Sequence, residues 1–89
     1  MEVTIERRVK LAASTLNKKT TEALFKSIDF FKSIKSSELL RDSRISFLSI
    51  GYENKIYMYK PGGDLRIIFT INEERIEIID IALHGQVDE

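Results

Sequence analysis

The 89-residue sequence has no cysteine and one histidine, and each scarcity excludes a chemistry. Without thiols there is no disulfide, no thiolate zinc site and no cysteine nucleophile, a composition suited to a reducing compartment. A single histidine rules out a histidine-built metal cage, so no metal and no cofactor are expected. Long hydrophobic runs are missing too. The longest uncharged stretch, Ile45 to Tyr52, falls far short of the roughly 20 residues that a membrane-spanning helix needs. The first residues, MEVTIERRVK, carry charge at Glu2, Glu6, Arg7 and Arg8 and lack the apolar core of a signal peptide. A soluble, cytoplasmic protein with no membrane partner is expected. Glycine and proline are sparse, with four and one. Pro61-Gly62-Gly63 reads as a hairpin turn that opens no helix, so no Gly-rich nucleotide loop is present. The length allows one domain, residues 1–89, whose pockets are expected to be shallow grooves shared with a partner.

Net charge is formally zero, with 14 basic and 14 acidic residues. They are unevenly placed. From Arg7 to Arg44 ten Lys/Arg face four Asp/Glu, whereas from Glu53 to Glu89 four face eight. The basic first half suits either an anionic partner or ordinary solvated helix faces.

Val3 and Ile5 alternate with polar neighbours as a short strand. Val9, Ala12, Ala13 and Leu16 then fall on one face of a helix over about residues 6–16. Asn17 breaks it. Thr20 or Thr21 is expected to cap a second helix, with Glu22 in its first turn and a stripe of Leu24, Ile28 and Phe31. Glu38 to Arg44 reads as a polar connector anchored by Leu39 and Leu40. Ile45 to Ile50 is either a strand or a packed loop. Lys55 to Lys60, the Pro61–Asp64 turn and Leu65 to Ile71 form a hairpin, and a reversal at Asn72-Glu73-Glu74 leads to a central strand, Arg75 to Leu83, ended by Gly85. Glu73 and Glu74 are expected to be solvated by water. The fold class is α+β: an N-terminal strand and a helical hairpin packed on an antiparallel sheet of about four strands.

Within that frame Arg66 is a candidate site residue. Alternation places it on the face opposite Leu65, Ile67 and Phe69. With a packed stem and a free fork it would bind a phosphate bidentately; the alternative is a surface ion pair with Glu77 or Asp64. Tyr57 and Tyr59 share a face of the preceding strand, either as a stacking platform for unpaired bases beside that arginine or as cross-strand packing. Asp80, set among isoleucines, is expected to be paired structurally, with a basic group or backbone amides. His84, directly after the last strand, can give or take protons near neutrality, and adjacent antiparallel strands bring it and Arg66 to one face.

The segment KIYMYKPGGDLRIIFT from Lys55 to Thr70, followed by Arg75 to Ile81 and Ala-Leu-His-Gly, resembles the C-terminal half of the RelE/ParE superfamily of toxins from bacterial toxin-antitoxin pairs. The order strand, helix, helix, meander agrees with that family over almost the whole chain. The resemblance implies a metal-independent, ribosome-dependent endoribonuclease that cleaves messenger RNA by attack of a ribose 2′-hydroxyl on the adjacent phosphate. Carried over, Arg66 holds the scissile phosphate, His84 is the acid or base, and Lys55 and Lys60 contact RNA, as Tyr57 and Tyr59 would in the stacking reading. The implied partners are a cognate antitoxin, the ribosome and mRNA. The tail after His84, Gly85 to Glu89, lacks the Arg and Tyr that relatives often carry there, and the chain is neutral where such toxins are usually basic. These two features leave open a ParE-like or catalytically lapsed toxin that acts on a protein such as DNA gyrase.

Overall fold

A computed structural model describes residues 1–50 and 55–84. The chain runs β1 (Glu2–Ile5), α1 (Arg7–Ala13), α2 (Lys18–Ser33), α3 (Ser36–Leu39), β2 (Ile45–Ile50), β3 (Lys55–Tyr59), β4 (Leu65–Asn72) and β5 (Arg75–Leu83). The strand end expected at Gly85 lies outside the described residues.

Three local departures from the sequence reading have plain causes. First, α1 stops at Ala13 rather than near residue 16. The Ser14 and Thr15 hydroxyls donate back to the carbonyls of Leu11 and Ala12, at 2.6 and 2.7 Å, and so satisfy groups that another helical turn would have used. Leu16 still packs against the core. Second, Asn17 caps α2 in place of Thr20 or Thr21. Its side-chain oxygen accepts from the Thr20 amide at 2.8 Å, the contact an N-cap residue makes with the third residue of its helix. Third, the connector contains a helical turn, α3, whose Leu39 is fully buried. Glu74 secures that turn, accepting from the Ser36 amide (3.1 Å) and hydroxyl (2.9 Å). The Glu74 carboxyl is held below its ordinary range, first by the Ser36 amide and then by its hydroxyl. Glu74 is therefore bonded rather than simply hydrated.

The sheet has five strands in the order β1-β5-β4-β3-β2, one more than expected, because Ile45–Ile50 forms a strand. It is mixed: β1 runs parallel to β5, pairing Val3 with Ile76 and Ile5 with Ile78, while the other pairs are antiparallel. The run Ile78, Ile79, Ile81 lacks clean alternation because Ile79 is an extra residue in β5, set where the register shifts between Ile68 and Phe69. The bulge keeps Ile78 and Ile81 on the same face.

That face meets the helices. Phe31 is fully buried, with its ring centroid 5.1 Å from Tyr59 and 5.4 Å from Phe69. Val9, Leu24, Ile28, Leu39, Leu65, Ile67, Ile76, Ile78 and Ile81 complete the buried cluster. At roughly 1.5–3 kcal/mol for each fully buried large side chain, this layer is the main force holding helices to sheet.

Candidate functional site

On β4 the alternation is strict. Leu65, Ile67 and Phe69 point to the helices, and Arg66 points to the other face, across from Ala82. His84 lies two residues beyond Ala82, hence diagonal to Arg66 on that face. The two side chains meet, with Arg66 Nη2 3.1 Å from His84 Nδ1. A guanidinium nitrogen only donates, so Nδ1 accepts, and the proton of the neutral imidazole sits on Nε2.

The hairpin turn sets both residues. Gly62 and Gly63 have φ of 125° and 66°, values that a side chain strongly disfavours. The Gly63 carbonyl accepts from Arg66 Nη1 at 3.0 Å, as does the Leu65 carbonyl at 3.0 Å. The Asp64 carbonyl accepts from the His84 amide at 2.6 Å. One turn thus anchors the arginine and the end of β5 together.

The free arginine fork expected from the sequence is corrected by these contacts. Arg66 is only 8% exposed, and its donors are engaged by carbonyls and by His84. Glu77 stands across from Thr70, four residues along β4, too far to be its ion-pair partner. Asp80 accepts from the Ile81 amide at 2.9 Å, the backbone pairing anticipated for it.

The tyrosine platform beside Arg66 is also corrected. Tyr57 pairs with Phe69 and Tyr59 with Ile67, so both lie on the helix side. Tyr59 is 2% exposed, and its phenol is pushed up chiefly by burial. Tyr57 stacks on Phe69 at 5.7 Å and meets the edge of Phe47 at 5.9 Å, the packing alternative already considered. Lys60 follows Tyr59 directly, beside the Arg66 row, and its amide donates to Arg44 O at 2.9 Å. Lys55 sits at the far end of β3, roughly 17 Å away at ~3.4 Å per residue. The structure therefore brings Arg66, His84 and Lys60 to one end of the sheet, and leaves Lys55, Tyr57 and Tyr59 apart from them.

One polar cluster escaped the sequence reading. Asp42 receives Arg44 through Nε and Nη2 at 2.9 and 2.7 Å, and accepts from the Arg44 amide as well. The Arg44 side-chain hydrogen bonds, then its amide, lower the Asp42 carboxyl to about 2. The Arg44 guanidinium lies over Phe30 and Tyr59, 5.0 and 5.1 Å from their centroids. The available signal was the Asp-x-Arg spacing, in which an aspartate bonds the backbone two residues on. An apolar groove of about 340 Å³ runs between α1 and α2, lined by Val9, Leu24, Phe25 and Ile28. Among the described residues, no cluster of His, Asp or Glu has the makings of a metal site, and no helix is long and apolar enough to cross a membrane.

Comparison with solved structures supplies the decisive likeness. A chain of an archaeal RelE-RelB complex from Pyrococcus horikoshii OT3, known from its crystal structure, superposes with a TM-score of 0.74 over 97% of this chain and 97% of its own, at 20% sequence identity. This chain has the RelE fold. No family model matches the sequence, and neither does any curated protein. At 20% identity the likeness extends to architecture. The RelE fold is thus built here with Arg66 and His84 in contact on the face of its sheet opposite the helical hairpin.

Proposed function

We propose that this chain is the toxin of a toxin-antitoxin pair and acts as a RelE-like, metal-independent, ribosome-dependent endoribonuclease on mRNA in the cytoplasm, held in check by a cognate antitoxin. The observation that carries the reading is the Arg66–His84 contact at 3.1 Å, beside a glycine turn on the face of a RelE fold opposite the helices. The archaeal RelE of matching fold occurs in a complex with RelB, which supports an antitoxin partner.

The chemistry asked of the site is in-line attack. The 2′-oxygen bonds to phosphorus, the bond to the 5′-oxygen breaks, one proton leaves the 2′-hydroxyl, and one reaches the departing oxygen, giving a 2′,3′-cyclic phosphate. Arg66 supplies charge to the phosphorane oxygens. His84 moves the proton. While Arg66 holds Nδ1, the ring offers Nε2–H as a donor. When the guanidinium turns to a phosphate oxygen it releases Nδ1, which then accepts the 2′-hydroxyl proton. Substrate binding and base activation are thereby one motion. Lys60, next in line along the same end of the sheet, contacts the RNA backbone.

A second reading has its own support. Arg66 is largely buried and the tyrosines lie on the helix side of the sheet, and a ParE-like or lapsed toxin that binds a protein such as DNA gyrase needs neither of them presented to RNA. Induction of the chain alone in a bacterial host, with the 5′ ends of mRNA mapped alongside growth, separates the two. Arrest with new cuts inside translated codons supports the nuclease. Arrest without cuts moves the reading to a protein target, and unimpaired growth refutes toxicity.

A further inference from the structure

The sheet has an open edge that its chemistry leaves unprotected. β2, sequence ISFLSI, is an outer strand with no charge and no proline, where edge strands ordinarily carry such guards against strand addition. Lys60 N donates to Arg44 O, so Arg44 and Lys60 are a hydrogen-bonded pair, and alternation makes Ser46 and Met58 the next. Phe47 N–H and C=O, with the Ile45 carbonyl, therefore turn outward; the Ile45 amide already donates to Asp42 O at 3.1 Å. The extra residue Leu48 ends the regular stretch. Beside these groups lies a shallow pocket of about 390 Å³, lined by Leu40, Ile45, Phe47, Lys55 and Tyr57. Phe47 is 54% exposed and Leu40 44%.

We propose that this edge receives an extended, acidic segment of a partner protein, which adds a sixth strand beside Ile45–Phe47 and sets an apolar side chain into the Leu40–Phe47–Tyr57 pocket. Main-chain hydrogen bonds supply affinity and the pocket supplies selectivity, the general logic of strand addition. Charge selects the occupant. Exposed Arg41, just before the turn into β2, and Lys55, at its other end, have no carboxylate within ion-pair distance among the described residues. A second copy pairing antiparallel would set the Arg41 end of each strand against the Lys55 end of the other, cation on cation. Carboxylates at both ends of an incoming strand meet both cations.

The proposal rests on the reading of this chain as a toxin held by a protein partner, and its test is independent of toxicity. The full chain, labelled with ¹⁵N, is titrated with acetyl-Glu-Thr-Val-Thr-Val-Thr-Glu-amide and with the same peptide carrying Lys at both ends. Amide shifts confined to residues 45–49 and 55–59, slowed exchange of the Phe47 amide and at least tenfold tighter binding of the Glu peptide are expected. Phe47→Lys, in a variant that keeps its far-UV spectrum, should weaken binding tenfold or more, and Lys55→Glu should reverse the peptide preference. Absence of binding, equal binding of both peptides, or shifts centred on the α1–α2 groove would overturn the proposal. So would a concentration-dependent dimer abolished by Phe47→Lys, which would make a second copy the occupant. Growth arrest with no peptide binding would sink the edge site and leave the toxin reading standing; peptide binding without arrest would do the reverse.

Discussion

Replacing Arg66 by methionine, which keeps the stem and removes the fork, should unfold the protein sooner rather than silently disarm it. Arg66 Nη1 bonds two carbonyls and Nη2 bonds His84, in a residue only 8% exposed. A hydrogen bond to a charged group contributes about 1.5–3 kcal/mol, and a buried partner left unsatisfied costs about 1–3. The three contacts overlap in what they hold, and His84 is exposed enough to be rehydrated, so a loss of about 2–4 kcal/mol is expected. At about 4–8 °C per kcal/mol for a domain of this size, the melting temperature falls by roughly 8–30 °C. Calorimetry of wild type and Arg66→Met side by side reads this directly, and Arg66→Lys should recover only part of the loss because an ammonium cannot reproduce the fork. A Met variant within about 1 kcal/mol of wild type would refute the anchored geometry and restore a surface arginine. The same measurement governs any growth assay, since lost arrest in an unfolded variant says nothing of catalysis.

Asn17→Ala removes the α2 cap and should cost about 1 kcal/mol in urea unfolding, with Asn17→Asp close to wild type. For Asp42 the folded pKa lies below the unfolded one, so its stabilisation is present above about pH 4 and is lost as pH falls through about 2. This pair is largely solvated, and screening leaves about 0.5–1 kcal/mol; Asp42→Asn should therefore be less stable than wild type at pH 7, with the difference shrinking as pH falls to about 2 and below. His84→Gln should slow mRNA cleavage at least a hundredfold with RNA binding unchanged, measured by single-turnover cleavage beside filter binding; equal losses in both would contradict a proton-transfer role.

Arg66 and His84 were legible as a pair because strand alternation and hairpin order follow from side-chain period and turn residues. The burial of Arg66 was not legible, since it depends on carbonyls of its own turn curling back over the guanidinium. The tyrosines show how little separates a right face from a wrong one. Their sharing of a face follows from a spacing of two, but which face depends on the Tyr59–Ile67 register, and a shift of one residue would have set them beside Arg66. The fold class was readable from the two helical stripes. The parallel pairing of β1 was not, because four residues carry no mark of their distant partner. The cap at Asn17 was mistaken for a break because the same residue ends one segment and begins the next.

The pairing of β1 with β5 also orders events during synthesis. β1 waits for β5, some 70 residues later in the chain, while α1 and α2 expose apolar stripes meant for a sheet that does not yet exist. At roughly 5–20 residues per second that interval lasts several seconds, and contacts so distant in sequence are slow to form. The Arg66–His84 site, built on β4 and the end of β5, is assembled only when the final strand docks. A nascent chain therefore lacks the Arg66–His84 contact until β5 has emerged and docked beside β4.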